Sequence, residues 1–356
     1  MNTAFSSRLL HIESVLKKAL PEKADGNWRA MSFSWLDASV GDSFFSGLLG
    51  PCVQLMSLGG KRWRPLLLVL CAELAAQAKN APGSAVENAY NLTPLVEFAH
   101  TASLIHDDIE DSADTRRGQP AAYITYGVDT AINAASWLYF EAAACIETLP
   151  LPVEEKHAFY TLYLLELRRL HLGQAMDILW HRNPSLIPTQ NEYVAMVRNK
   201  TGTLARLAVK LGMLAGGASD EEAEKAGKIA EDIGVGFQVL DDVINLTTGN
   251  PGKKRGDDIV EGKKSLPVLM HLQNSPQDTE KLAALFVQAR SEGISSSAVE
   301  EAIELLTSSG AVDAAFMSGN ELVTKKSREL ADFFGGKTES SALIADLFTS
   351  MRKKNA

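Results

Sequence analysis

Residues 95–111 read LVEFAHTASLIHDDIED, a largely apolar stretch that ends in three closely spaced aspartates. The residues before the aspartates are apolar on nearly every side at helical spacing, which indicates a buried helix. Asp107, Asp108 and Asp111 end it, and at spacings of three and four residues they share one helix face. Two carboxylates about 5 Å apart repel by roughly 3 kcal/mol at an effective dielectric near 20, so a partly buried triplet requires a cation. A solvated acidic face is the alternative, and the apolar surroundings argue against it.

A second acidic segment, QVLDDVIN at residues 238–245, also follows an apolar stretch. Its polar residues, Gln238, Asp241, Asp242 and Asn245, fall at i, i+3, i+4 and i+7, so one helix face carries oxygen-bearing side chains throughout. Mg²⁺ is usually held by one or two carboxylates together with substrate phosphates. The two segments therefore predict metal sites that could hold one phosphorylated substrate.

Cations accompany the acidic segments. GGKRWRP at residues 59–65 places Lys61 and Arg64 at the start of a predicted helix, where free N–H groups and the helix dipole favour an anion. Arg116 and Arg117 follow the first acidic segment, and a guanidinium can hold phosphate oxygens through two parallel bonds. This pattern predicts an anion-binding site.

Three further features point to ligand contacts. Gly202 interrupts a helical stretch, and a local kink there could present Lys200 and Thr201 to a ligand, although a solvated surface lysine is the alternative for Lys200. Asp177 lies among apolar helical residues and needs a partner if it is buried. The loop at residues 247–264 is rich in glycine and lysine and follows the second acidic segment, which favours a phosphate-contacting lid over a plain connector.

The chain has 356 residues, of which 46% are hydrophobic and 22% are charged, an ordinary globular composition. Helical periodicity recurs from end to end with breaks at prolines such as Pro51, and strand signals are scarce. No long linker or repeat stands out, so we predict an all-α protein with a single domain at 1–356. The predicted helices are 8–20, 32–49, 62–78, 86–110, 128–147, 154–180, 192–216, 220–246 and 265–273, with shorter ones beyond.

Composition also excludes several classes of protein. A net charge of -9 argues against nucleic-acid binding through a general basic face. The three cysteines match no zinc or redox spacing and are expected to be reduced and buried. The first twenty residues lack the pattern of a secretory signal, and the longest apolar run is too short to span a membrane. The expectation is a cytoplasmic protein without a transmembrane segment.

Taken in order, the segments resemble the trans-isoprenyl (polyprenyl) diphosphate synthase family, and more narrowly its geranylgeranyl diphosphate synthases. Any single motif is weak, but six in the family's order make a chance resemblance very improbable. The segments are GGKRWRP, HTASLIHDDIEDSADTRRG, GQAMDILW, NKTG, GFQVLDDVINL and GKKRGDDIVEGKKSLP.

The resemblance implies a single helical bundle around a deep apolar channel, with the two acidic motifs facing each other at its mouth. It also implies residue roles and a homodimer. The residues implied to bind Mg²⁺, as three ions when diphosphate is bound, are Asp107, Asp108, Asp111, Asp177, Asp241 and Asp242. Those implied to contact the allylic diphosphate are Arg116, Lys200, Gln238 and Lys263, with Thr201 beside the reacting centre. Those implied to bind isopentenyl diphosphate are Lys61, Arg64, His100 and Arg117. Lys253 matches a further substrate-binding position in a loop whose spacing varies within the family.

The implied activity is condensation of isopentenyl diphosphate with an allylic diphosphate. The small residues Ala102 and Ser103, one turn before Asp107, are implied to leave room for a C20 product, with longer or C15 products as alternatives. Trp137, Tyr139 and Phe140 are candidates for the floor of the channel or for ordinary core packing.

Two rival functions come from other classes. A terpene cyclase would not need the isopentenyl diphosphate site, and a non-catalytic partner subunit would commonly lose acidic residues that this chain keeps. The family often has a third aspartate where this chain has Asn245, a departure shared by many geranylgeranyl diphosphate synthases.

Overall fold

The computed structural model describes residues 3–249 and 254–353. Within these residues the chain is helical apart from one small antiparallel sheet. The first helices are α1 (Thr3–Ala19), α2 (Gly26–Phe33), α3 (Asp42–Ser57), α4 (Trp63–Lys79), α5 (Gly83–Asn91) and α6 (Thr93–Glu110). After β1 (Thr115–Arg116) and β2 (Gln119–Pro120) come α7 (Ala122–Tyr126), α8 (Val128–Glu141), α9 (Ala144–Glu147), α10 (Val153–His181) and α11 (Gln190–Val197). A π-helical turn (Arg198–Gly202) then leads into α12 (Thr203–Ala215) and α13 (Asp220–Thr247). The remaining helices are α14 (Asp257–Glu261), α15 (Leu266–Asn274), α16 (Thr279–Glu292), α17 (Ser297–Ser308), α18 (Ala311–Ala331) and α19 (Glu339–Lys353), with a 3₁₀ turn at Pro276–Asp278.

Backbone contacts divide the chain into two compact units. The first consists of Met1–Leu167, Leu207–Gly227 and Ala331–Ile344, and the second of Arg168–Arg206, Lys228–Leu330 and Ala345–Ala356.

Helix α6 is central to the first unit, where it packs against α8, α4, α3 and α1. It is apolar on most sides, and Leu95, Val96, Phe98 and Ile105 are all fully buried. Each fully buried aliphatic or aromatic side chain of this kind contributes roughly 1.5–3 kcal/mol relative to an exposed one. The prediction that residues 95–111 form a buried helix is confirmed, and the end of α6 places the first acidic motif.

The second unit has its own core, which is formed by α11, α13, α15, α16 and α17. Tyr193, Val239, Leu269, Phe286 and Ile303 are representative, each no more than 3% exposed. Val239 belongs to the second acidic segment and is buried in this core. Core packing therefore fixes the rotation of α13 about its axis, and with it the direction of the polar side chains of that segment.

The all-α class is confirmed, but three predicted helices are each divided in two. Residues 86–110 form α5 and α6, and residues 128–147 form α8 and α9. Residues 32–49 do not form one helix, because α2 ends before Ser34, which has a left-handed φ of 57°. Asp42 then starts α3, which continues through Pro51 with that proline buried inside it. None of the helices in the described part of the chain combines the length and the hydrophobicity needed to cross a bilayer.

Candidate active site

The first acidic motif ends α6. Asp111 donates its backbone N–H to the carbonyl oxygen of Asp107 at 2.8 Å, which keeps the last turn helical through all three aspartates. Asp107 and Asp111 are half-buried, whereas Asp108 is 1% exposed. The three carboxylates therefore meet at one helix end, as predicted, but in unequal surroundings.

Among the described residues, one carboxylate oxygen of Asp108 accepts hydrogen bonds and the other does not. Arg116 Nε donates to Oδ1 at 2.8 Å, and Nη2 donates to the same oxygen. Oδ2 is buried and has no hydrogen-bond partner among the described residues. Burial raises the pKa of Asp108, Arg116 opposes that rise, and Asp107 and Asp111 add to it. A buried carboxylate oxygen that accepts no hydrogen bond is suited to a cation.

Arg116 and Arg117 lie in a β-hairpin for which the sequence carries no strong strand signal. Arg116 pairs with Gln119 across the two strands, and the turn residues Arg117 and Gly118 have φ values of 54° and 77°. Positive φ at both central residues is the mark of a type I′ turn, whose twist suits a hairpin. A Cβ atom built on Gly60 would lie 3.2 Å from Arg117 Nη2. The hairpin thus directs Arg116 to the acidic motif and Arg117 to the GGKRWRP segment.

Lys61, Arg64 and Arg117 form what we call the cationic group. Arg64 is half-buried, its Nη1 lies 3.4 Å from His100 Nε2, and its guanidinium lies 4.4 Å from the centre of the Trp63 ring. Lys61 is exposed. Burial lowers the pKa of His100 well below its usual value, and Arg64 and Arg117 lower it further. The structure thus places Arg64, Arg117 and a neutral His100 close together, as expected of an anion site.

The predicted chain-length residues lie on α6. Ala102 is fully buried, and Ser103 is half-buried with its Oγ donating to the His100 carbonyl at 2.8 Å. Of the three floor candidates on α8, Phe140 is 75% exposed, so its assignment to a channel floor or the core is wrong. Tyr139 stacks on His106, with ring centroids 5.8 Å apart.

Trp137 belongs to an aromatic cluster that joins three helices. It stacks with Phe33 of α2 at 6.4 Å between ring centroids and meets Trp28 edge-on at 6.0 Å. Phe45 of α3 completes the cluster, 5.8 Å from Phe33. These contacts are core packing, one of the two roles that the sequence left open for Trp137.

In the second unit, the predicted interruption around Gly202 is confirmed as the π-helical turn. Such single turns insert one residue into a helix and are frequent at functional sites. Gly173 of α10 makes room for this turn, since a Cβ atom there would lie 2.3 Å from Lys200 N. Lys200 Nζ donates to Asp177 Oδ2 at 2.6 Å, so the buried Asp177 has a charged partner.

Thr201 begins a chain of side-chain hydrogen bonds that reaches the second acidic motif. Its Oγ1 donates to Gln238 Oε1 at 2.8 Å, and Gln238 Nε2 donates to Asp242 Oδ1 at 3.0 Å. The Tyr193 hydroxyl and the Leu266 N–H both donate to Asp242 Oδ2, at 2.6 and 3.1 Å. Burial raises the pKa of Asp242 to about 7, and these donors oppose the rise. Tyr193 was not recognised in the sequence, where nothing distinguishes it from a core tyrosine.

The second motif differs from the predicted face of oxygen ligands. Asp241 is exposed, whereas Asp242 accepts three protein hydrogen bonds. Asn245 is buried, and its Oδ1 accepts the Asp258 N–H at 3.1 Å while its carbonyl accepts the Gly256 N–H at 2.8 Å. Helical periodicity predicted the shared face but not these partners, which come from a segment that follows the motif.

Lys263 and Lys264, at the end of the loop at residues 247–264, have different surroundings. Lys263 pairs with Glu261 and lies 4.0 Å from Asp258. Lys264 is buried, with its Nζ 3.0 Å from the Gly262 carbonyl oxygen and 4.7 Å from the centre of the Phe286 ring. Lys253 lies outside the described residues.

Comparison with known proteins places these features in a family. The family model described as polyprenyl synthetase matches residues 46–306, which is most of the chain and includes both acidic motifs. The chain belongs to the polyprenyl synthetase family. It is 36% identical over 234 residues to geranylgeranyl pyrophosphate synthase 2 of Zymoseptoria tritici, covering 65% of this chain and 66% of that protein. It is 38% identical over 220 residues to geranylgeranyl diphosphate synthase of Methanosarcina mazei, covering 60% of this chain and 64% of that one.

Solved structures in the family share the fold. A geranylgeranyl pyrophosphate synthetase from Pyrococcus horikoshii superposes with a TM-score of 0.77 at 27% identity, covering 96% of this chain and 95% of that chain. A second structure, of a geranylgeranyl pyrophosphate synthase, gives a TM-score of 0.80 over 100% of both chains at 24% identity. The matched segments of the curated relatives above amount to about two thirds of their length, and a third relative, from Gibberella zeae, is matched over 48%.

The first acidic motif is better suited to bind a hard cation such as Mg²⁺ than the second acidic motif. Within residues 3–249 and 254–353, no group of three or more His, Cys, Asp or Glu side chains is placed to hold a metal ion by itself. Mg²⁺ does not require such a group, because it keeps waters and substrate phosphates as ligands. Among the described residues no group donates to Asp108 Oδ2, whereas Asp242 already accepts three hydrogen bonds and has little capacity left for a metal.

Proposed function

We propose that this chain is a trans-prenyltransferase that condenses isopentenyl diphosphate with an allylic diphosphate to give a longer all-trans prenyl diphosphate. Membership of the polyprenyl synthetase family and relatives named geranylgeranyl diphosphate synthase support this activity. The observation that carries the proposal lies in the first unit, where the cationic group adjoins the acidic motif through the neighbouring residues Arg116 and Arg117. Two neighbouring subsites of opposite charge suit two diphosphate substrates, one bound through a metal and one bound directly.

The chain's own residues then have distinct tasks. Lys61, Arg64 and Arg117 bind the diphosphate of isopentenyl diphosphate, and a neutral His100 can donate one further hydrogen bond to it. Mg²⁺ held by Asp107, Asp108 and Asp111 would neutralise the charge that develops on the departing diphosphate.

Reaction breaks the allylic C–O bond and joins the isopentenyl double bond to the allylic carbon. The released diphosphate takes the proton that is then lost, so no protein base is required. Thr201 and Gln238 offer dipoles rather than charges, and their mutual hydrogen bond fixes those dipoles in place. Lys200 adds a fixed cation for the allylic diphosphate, already oriented by Asp177.

The product is proposed to be C20. Ala102 is fully buried on α6 one turn before the aspartates. The resemblance to the family implies that a small residue at this position leaves room for the growing chain. Ala102→Phe should shorten the product, because the added ring occupies the path of the growing chain. Ser103→Ala is the control, since it removes the bond to the His100 carbonyl without adding bulk. Unchanged product length in Ala102→Phe would rule out this wall.

A homodimer is also proposed. On α8, Ile132 lies four residues after Val128 and eight residues before Phe140, so the three side chains fall within about 120° of the helix circumference. They are 48% (Val128), 43% (Ile132) and 75% (Phe140) exposed. Exposed apolar stripes of this kind mark protein interfaces. Light scattering after gel filtration should show a dimer for the native chain and a monomer for Ile132→Glu/Phe140→Arg. Leu10→Glu, on an equally exposed apolar residue of α1, should stay dimeric.

The deciding experiment incubates purified protein with Mg²⁺, isopentenyl diphosphate and each of the C5, C10 and C15 allylic diphosphates, with products resolved by mass spectrometry. A discrete longer prenyl diphosphate supports the proposal. Hydrocarbon or alcohol formed from an allylic substrate alone would indicate a cyclase, and no product with any starter would indicate a non-catalytic subunit. The cytoplasmic location stays a prediction from the sequence.

Asp107→Ala tests the metal role within the same assay. Loss of electrostatic stabilisation of this kind lowers turnover by at least about 10²-fold. Asp114→Ala is the matched control, because Asp114 is an exposed aspartate just past the motif. Near-normal turnover in Asp107→Ala would refute the assignment.

A further inference from the structure

Arg62 stands between Lys61 and Arg64 in sequence but differs from both in its surroundings. It is 5% exposed and has a left-handed φ of 46° at the start of α4. Its Nε donates to Glu13 of α1 at 2.7 Å, its Nη1 donates to Glu97 of α6 at 2.6 Å, and its Nη2 donates to the Met56 carbonyl of α3 at 2.7 Å. The guanidinium is therefore held by three different helices.

Glu97 is a buried carboxylate beside the cationic group. It is 3% exposed and lies three residues before His100 on α6. Burial raises the pKa of Glu97, and Arg62 opposes that rise most strongly, followed by Arg64 and Arg117. Arg64 and Arg117 are members of the cationic group. Glu97 therefore interacts electrostatically with residues that are proposed to bind isopentenyl diphosphate.

A buried carboxylate next to an anion site poses a problem for binding. An unpaired buried carboxylate is strongly unfavourable, so it forms an ion pair with a neighbouring cation where one is available. Without Arg62, Glu97 would retain only the cations of the anion site, and a diphosphate would have to displace it. With Arg62, Glu97 has a partner of its own.

We propose that Arg62 is a positioning residue: it is the ion-pair partner of the buried Glu97. Because Glu97 pairs with Arg62, Arg64 and Arg117 stay available to bind a diphosphate. This inference rests on the proposed function for the identity of that diphosphate. Glu13, whose side chain is 35% exposed, orients Arg62 without being needed to neutralise Glu97.

The test compares Arg62→Met, Glu97→Gln and the double variant by steady-state kinetics. Arg62→Met should raise KM for isopentenyl diphosphate by at least about tenfold, because truncating one partner of a buried charge pair leaves the other uncompensated. KM for the allylic substrate should stay unchanged. Adding Glu97→Gln to Arg62→Met should restore most of the lost affinity, which a purely structural role of Arg62 would not allow. Arg62→Lys should preserve affinity, because it keeps a cation beside Glu97.

Two controls separate charge from folding. Arg8→Met breaks another α1–α4 ion pair, with Glu73 at 2.8 Å, and should leave KM for isopentenyl diphosphate unchanged. If Arg62→Met does not fold, Glu97→Gln alone decides, and a rise in that KM would overturn the proposal. A double variant as impaired as Arg62→Met would also overturn it.

Calorimetry measures the binding of inorganic pyrophosphate in place of isopentenyl diphosphate, so it tests the role of Arg62 even if the chain makes no prenyl product. If the native chain makes no prenyl product, the proposed function fails. Weaker pyrophosphate binding by Arg62→Met, restored in the double variant, would still support the role of Arg62. Equal binding by all variants would refute it.

Discussion

Glu141→Gln should raise the free energy of unfolding at pH 8 and leave it nearly unchanged at pH 5. Glu141 lies on α8, is 8% exposed, and its Oε1 accepts a hydrogen bond from Ser32 Oγ at 2.6 Å. Burial raises the pKa of Glu141 from 4.5 to about 7, and the bond from Ser32 opposes the rise. A glutamine can accept the same hydrogen bond but carries no charge at any of these pH values.

The sign and the size follow from proton linkage. The folded state keeps a proton on Glu141 that the unfolded chain has already lost, so the stability from this group is complete below pH 4.5 and is lost as the pH rises through about 7. A difference of this size between folded and unfolded pKa values corresponds to about 3 kcal/mol. Above pH 7 the native protein therefore contains an ionised buried carboxylate, and Glu141→Gln removes that cost.

Urea unfolding at pH 5, 6, 7 and 8 measures the effect for both proteins. The gap between Glu141→Gln and native protein should open between pH 5 and pH 8. Glu154→Gln, at an exposed site in the first turn of α10, controls for the loss of one negative charge and should show no such gap. Parallel curves for the native protein and Glu141→Gln would mean that Glu141 ionises without penalty, which contradicts the inference from its burial.

Two further substitutions test the second unit. Gly173→Ala places a Cβ atom 2.3 Å from the backbone of the π-helical turn, so it should lower stability by about 1–3 kcal/mol and reduce kcat, whereas Gly47→Ala, a helical glycine with open space around it, should do neither. Equal behaviour of the two variants in urea unfolding and turnover assays would contradict the close contact. Tyr193→Phe removes a donor from the buried Asp242 and should cost about 1.5–3 kcal/mol and lower kcat. Tyr163→Phe, which loses only a bond to a backbone carbonyl, should lower stability but not kcat, and the reverse pattern would contradict the assignment.

The sequence was most informative where one pattern determined both structure and burial. A segment that is apolar on nearly all sides can only be a buried helix, so residues 95–111 predicted α6, its depth and the clustering of Asp107, Asp108 and Asp111 at its end. The glycine at 202 predicted an interruption because glycine weakens a helix, and the π-helical turn is that interruption.

Partners from distant segments could not be predicted. Arg62, between Lys61 and Arg64, has the same charge as both, and only its contacts with Glu13 and Glu97 separate its role from theirs. Spacing along one helix gives the direction of a side chain, but the burial and the pairing of that side chain depend on other elements.

The second acidic motif shows the same limit and explains the asparagine at its end. Asn245 Oδ1 accepts the N–H of Asp258, and Asp258 already raises the pKa of the buried Asp242 through its charge. An aspartate at 245 could accept the same hydrogen bond, but it would add a third carboxylate to a site where two already repel each other. The amide keeps the bond that holds the start of α14 against α13 and avoids that repulsion. The role of Asn245 visible in this structure is therefore to anchor α14.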